Sequence, residues 1–157
     1  MRQTFELDQF DLKLLDLLQV NNQLTANELS ERVHLSPGSC LRRIKLMREQ
    51  GVITADVSHV NPQAIGRHLT MVVLVTLVQE QLDLIDEFRR SMVRTPEVMQ
   101  CFYVTGSIDF VLLVTSRDMQ EYEEFTNRFF FHNKNILKFE TLVVMNRVKF
   151  GTSLPLF

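Results

Sequence analysis

The chain has 157 residues, enough for one domain of about 150 residues or two of about 60 to 90. Its 45% hydrophobic and 23% charged content excludes a chain disordered throughout. The longest apolar run, Met71 to Val78, is interrupted by Thr76 and falls far short of the roughly 18 to 20 residues of a membrane-spanning helix. The net charge is −2, from 17 Lys and Arg against 19 Asp and Glu, so any affinity for nucleic acid must come from local sorting of charge.

The first six residues carry no apolar core behind their positive charge, so no secretory signal is expected and the protein is expected in the cytoplasm. Cys40 and Cys101 lack the spacing of a disulfide framework or a metal site and are expected to be small buried residues.

In chain order, Phe10, Leu14, Leu17 and Leu18 recur at helical spacing, with Asp8 placed to cap the helix and Asp11 in its first turn. Thr25 and Glu28 have the spacing of a capping box, which predicts a short second helix running to about His34. Ser36 followed by Pro37 marks the start of a third helix; its stripe Cys40, Leu41, Ile44 and Met47 ends at Gly51. Val52 to Thr54 and Val57 to Val60 then read as a short β wing, and Asn61-Pro62 and Gly66 as linker breakers. Leu69 to Val78 predicts a strand, and Leu82, Ile85, Phe88, Met92 and Val93 a helix stopped at Thr95-Pro96. Val98 to Thr105 and Phe110 to Ser116 form a predicted hairpin around Gly106 to Asp109. A helix capped by Asp118 follows, and a long strand near Leu137 to Phe150 closes the order. The expected class is α+β: residues 1–60 a winged helix-turn-helix, 61–68 a linker, and 69–157 a ferredoxin-like βαββαβ domain.

Arg42, Arg43, Lys45 and Arg48 lie within seven positions, and no acidic residue intervenes before Glu49. Arg42, Arg43 and Lys45 fall off the apolar stripe of the third helix, so that helix can pack on the first two and turn a basic side outward to the major groove of double-stranded DNA. Ser36, Gly38 and Ser39 at its start offer hydroxyls and amides to phosphates or base edges. Arg42 and Arg43 are the candidates for bidentate contact with guanine or phosphate, and Lys45 and Arg48 for charge towards the backbone. The alternative is an ordinary solvated basic face. Gly106 to Asp109 is the candidate ligand turn, because glycine admits close backbone approach and Asp109 can pair with an ammonium. The same four residues also fit an ordinary hairpin turn.

The runs Leu7-Asp8-Gln9-Phe10-Asp11, Leu29 to Val33 and Leu35 to Lys45 resemble the DNA-binding half of the Lrp/AsnC family. Pro96-Glu97-Val98, Val104 to Phe110, Asp118-Met119 and Thr141 to Met145 resemble its amino-acid-sensing half. The resemblance runs from Leu7 to Pro155 and implies a transcription regulator working as homodimers, commonly assembled to octamers, with an amino acid such as leucine as effector. It implies effector contacts by Tyr103, Thr105, Gly106 and Asp109, with Thr141 from the last strand. The three phenylalanines Phe129 to Phe131 are expected in the core or against a partner.

No nucleophile elbow, P-loop or zincin motif occurs, and His34, His59, His68 and His132 share no ligand spacing, so neither catalytic residue, metal nor cofactor is expected. Two alternatives stand beside the regulator: a haem-biosynthesis decarboxylase-like relative of the same architecture, and a nonspecific architectural DNA binder. Recognition of RNA on the sheet fits poorly, because Phe102 and Tyr103 are adjacent and point to opposite faces.

Overall fold

A computed structural model describes residues 5–157, which divide into two units, one up to His59 together with Lys149–Phe157 and the other Val60–Val148.

In the first unit, helices α1 (Gln9–Val20), α2 (Ala26–Val33) and α3 (Pro37–Glu49) start at the expected caps. Asp8 accepts the amides of Phe10 and Asp11 at 2.8 and 2.9 Å while Asp11 accepts the Asp8 amide. Thr25 and Glu28 close the same kind of box on α2. Between α2 and α3 the chain turns through His34, whose φ of 58° alone among the described non-glycine residues is positive. Leu14, Leu29, Val33, Cys40, Ile44 and Met47 form the core of this unit, so the apolar stripe of α3 is buried as its spacing requires.

The expected wing has no strand: residues 52–60 form no ladder. Gly51 turns the chain at φ 72°, and the amides of Val52 and Ile53 both donate to the Met47 carbonyl at 2.9 and 3.2 Å. That turn folds the start of the segment back onto the end of α3, and Val57 and Val60 stay exposed.

The second unit has strands β1 (Leu69–Leu77), β2 (Val98–Tyr103), β3 (Phe110–Ser116) and β4 (Ile136–Val143), with helices α4 (Leu82–Val93) and α5 (Met119–Thr126). The sheet is antiparallel with order β2-β3-β1-β4, the βαββαβ arrangement expected from the pattern. One face, carried by Met71, Val73, Val75, Phe110, Leu112 and Val114, packs with Ile85, Phe88 and Met92 of α4 and Tyr122 and Phe125 of α5. An isolated π turn, residues 127–131, extends α5. It sorts the three phenylalanines: Phe130 is buried, Phe129 half-buried and Phe131 exposed.

Strand β4 stops at Val143, well short of Phe150. Its partner β1 begins at Leu69, and once Val144 has donated to the Thr70 carbonyl at 2.9 Å the ladder has no further rungs to offer. Residues 149–157, expected in the second domain, group with the helical unit. Cys40 is buried as expected, whereas Cys101 is half-buried.

Candidate nucleic-acid interface and ligand turn

Ser36 begins α3 by accepting the Ser39 amide at 3.2 Å and donating to the Ser39 hydroxyl at 2.9 Å. The Ser39 hydroxyl proton remains for an outside acceptor, and the Gly38 amide lies at the second helical position, where no intrahelical carbonyl reaches it. Gly38 is exposed, and a Cβ there would meet nothing. The helix start is therefore accessible and carries the positive end of the helix dipole.

The four basic residues of α3 separate into distinct roles. Arg42 is exposed and has no ion pair among the described residues. Lys45 is exposed beside Glu49 at 3.7 Å, a weak i,i+4 pair. Arg48 pairs with Asp56 at 2.9 Å, which ties the chain after Gly51 to the end of α3. Arg43, expected to face DNA with Arg42, turns the other way. Its Nη1 lies 2.8 Å from Asp8 and 2.8 Å from Asp11, and its guanidinium lies over the Phe10 ring, 5.7 Å from the centroid. Hydrogen bonding to Asp11, and then to Asp8, pushes the Arg43 pKa further up. The backbone amide of Asp11, with the Arg43 charge, holds the Asp8 carboxyl below its ordinary range. Arg43 thus locks α3 to the start of α1. The reason is geometric: residue 43 lies one step from the buried Ile44 and is only 25% exposed, beside two carboxylates fixed by the cap of α1.

The expected ligand turn joins β2 to β3. Gly106 has φ 127°, which a side chain would strain, and Thr105, Gly106 and Ser107 are exposed. Asp109 is buried and already committed. Its Oδ2 accepts the Leu77 amide at 2.7 Å, its own amide donates to the Val75 carbonyl at 2.9 Å, and its carbonyl accepts the Val104 amide at 2.9 Å. The β1–β3 ladder ends at the Val75–Phe110 pair, and the Asp109 carboxylate receives the next β1 amide on that side, that of Leu77. Asp109 therefore continues the sheet through its Oδ2, a structural role beside the ammonium pairing expected of it.

Tyr103 is 45% exposed, with the Arg89 guanidinium 4.7 Å from its ring centroid and Phe110 5.1 Å away. Thr141 is not brought to the turn within one chain. Tyr103 stands opposite Phe110, Phe110 opposite Val75 and Val75 opposite Phe139, so Tyr103 and β4 are three strand spacings, roughly 14 Å, apart. Thr141 instead shares a 2.6 Å hydrogen bond with the Tyr122 hydroxyl, whose pKa burial pushes up. Beside that pair an open groove of about 920 Å³ runs between α5 and β4, bordered by Met119, Tyr122, Glu123, Phe131 and Phe139.

Sequence reasoning missed Asp11 as the partner of Arg43, because the two are 32 positions apart and each has a sufficient local role. No group of three or more potential metal ligands occurs among the described residues.

Residues 7–54 match a winged helix-turn-helix DNA-binding family and residues 70–154 the Lrp/AsnC ligand binding domain. An HTH-type transcriptional regulator of Sinorhizobium fredii is 52% identical over 151 residues, 96% of this chain and 89% of that one. The leucine-responsive regulatory protein of Haemophilus influenzae is 34% identical over 91% of this chain and 86% of its own. Among solved structures, a transcriptional regulator of Neisseria meningitidis in complex with L-methionine superposes with a TM-score of 0.90 at 33% identity, covering 96% of this chain and 97% of that one. With a DNA-binding half and a ligand-binding half both matched in order, the chain belongs to the Lrp/AsnC family of DNA-binding transcription regulators.

Proposed function

We propose that this regulator reads DNA with the start and outer side of α3 and that a free amino acid modulates its binding. The observation that carries the reading is the division of labour on α3, where Arg43 fixes the helix against α1 while Arg42, Gly38 and the Ser39 hydroxyl remain open to solvent. Arg42 then supplies the bidentate contact, Lys45 adds charge towards the phosphates, and Ser36 acts by shaping the helix start.

The effector is an amino acid, a reading supported by the L-methionine held by the Neisseria relative. It docks against Tyr103, Thr105 and Gly106, with exposed backbone amides of the turn available to its carboxylate. Thr141 joins this site only from another copy of the chain. A second copy also suits the face of the sheet turned away from the helices, where Val72, Leu74, Val111 and Leu113 run together and Phe102 and Leu142 are about half exposed. The working form is a homodimer assembling further to octamers, acting in the cytoplasm without catalysis or cofactor.

The test is binding of the purified protein to genomic fragments at two salt concentrations, with and without a mixture of the twenty amino acids. Fragments retained at the higher salt, in a pattern altered by the mixture, are the expected result. Absence of any salt-resistant fragment overturns sequence-specific reading, and an unaltered pattern overturns the amino-acid effector.

A further inference from the structure

The chain passes between the two units twice, after His59 and again after Val148. The second passage leads into residues 149–157, which carry no regular secondary structure yet are held by specific bonds. The side-chain amide of Gln19, in the last turn of α1, donates to the Leu154 carbonyl at 3.1 Å and accepts the Leu154 amide at 2.7 Å. This reciprocal pair is what a neighbouring strand would offer. The Ser153 hydroxyl lies 3.5 Å from the Gln19 carbonyl, one of the carbonyls that a helix end leaves without an intrahelical partner. Closer to the passage, Phe150 meets His59 edge to face with ring centroids 5.1 Å apart. The strap is thus pinned at His59 by Phe150 and at α1 by Leu154.

We propose that residues 149–157 are a strap by which the last strand of the ligand-binding half holds α1, and through α1 the recognition helix. The route combines the covalent chain through residues 144–148 with named contacts. Strand β4 leads into the strap, the strap grips Gln19, and the opposite end of α1 carries Asp8 and Asp11, which hold Arg43 of α3. The signalling part of this proposal rests on the amino-acid reading above, whereas the grip itself does not.

Hydrogen exchange on the full-length protein tests the grip. In Gln19→Ala the Leu154 amide loses its acceptor and should exchange about tenfold faster. In Gln19→Glu an oxygen still accepts that amide, and exchange at Leu154 should stay near the wild-type rate. Equal exchange at Leu154 in wild type and Gln19→Ala overturns the strap. Signalling is tested with L-methionine and L-leucine as probes, titrated calorimetrically into wild type and Gln19→Ala and then added to each protein bound to a retained genomic fragment. Equal heats in both proteins, with the change in DNA binding lost only in Gln19→Ala, is the expected result. A DNA response that persists in Gln19→Ala overturns transmission through the strap. Absence of heat from both proteins overturns the amino-acid reading for these probes and, with it, the signalling role assigned to the strap, while the exchange rates decide the grip.

Discussion

Arg43 and Asp11 meet at 2.8 Å between the third and first helices, and the Asp11 side chain is only 5% exposed there. A residue whose type and position on α3 suit DNA is instead the bolt between α1 and α3. Removing it leaves a buried carboxylate without its cation. Arg43→Ala should therefore lower the stability of the helical unit by about 1 to 3 kcal/mol, less than a fully buried pair because Arg43 keeps a quarter of its exposure. Denaturant unfolding followed by circular dichroism checks this; a change within about 0.5 kcal/mol, the range of an ordinary surface substitution, would show that the pair has no structural weight.

Arg42→Ala should do the reverse. Its side chain is exposed and free of ion pairs among the described residues, so stability should hardly change. Operator affinity should fall by about 1 to 3 kcal/mol if it makes a bidentate base contact. Fluorescence anisotropy with a retained fragment, at fixed salt, distinguishes the two arginines.

Asp109→Ala should cost about 1 to 3 kcal/mol of stability in the sheet unit, because the buried Leu77 amide loses its acceptor. Asp109→Asn keeps an oxygen at the same position and should lose less. A folded, fully stable Asp109→Ala protein that no longer responds to an amino acid would instead restore the ligand role that the motif first suggests.

Acid should loosen the α1–α3 junction. The Asp8 carboxyl is held below its ordinary range, first by the Asp11 amide and also by Arg43. Its folded pKa is depressed, so its contribution to stability is present above the unfolded value of about 3.9 and is lost as pH falls through the lower folded value. The stability of the wild type should drop below about pH 4, and Asp8→Asn should flatten that dependence. A parallel decline in both proteins would assign the acid sensitivity to other carboxylates.

Local chemistry made much of this fold readable. The caps at Asp8, Thr25, Ser36 and Asp118 depend on residues within three positions, and each helix begins where its cap predicts. The alternation in Met71, Val73 and Val75 likewise fixes a sheet face without knowledge of the neighbours. What stayed illegible depends on distant partners. Nothing near Arg43 announces Asp11, 32 positions away, and nothing near Asp109 announces the orphan amide of Leu77. The missing wing has a similar origin, since Val52 and Ile53 have β character but their amides are taken by Met47. The strap is the extreme case, with Gln19 and Leu154 separated by 135 positions.

The anchoring of Asp109 and Val104 divides the β2–β3 turn into a fixed frame and a free window. Both ends of the turn are tied by backbone or carboxylate hydrogen bonds, one of them to the central strand β1, whereas the side chains of Thr105 and Ser107 are exposed. Mutation can therefore explore those two positions with little cost to the sheet, subject to glycine at 106 between them. Under the effector docking proposed for this turn, a library randomised at Thr105 and Ser107 would sample new effector preferences in proteins that still fold, while the same effort spent on Asp109 would mostly yield unstable chains.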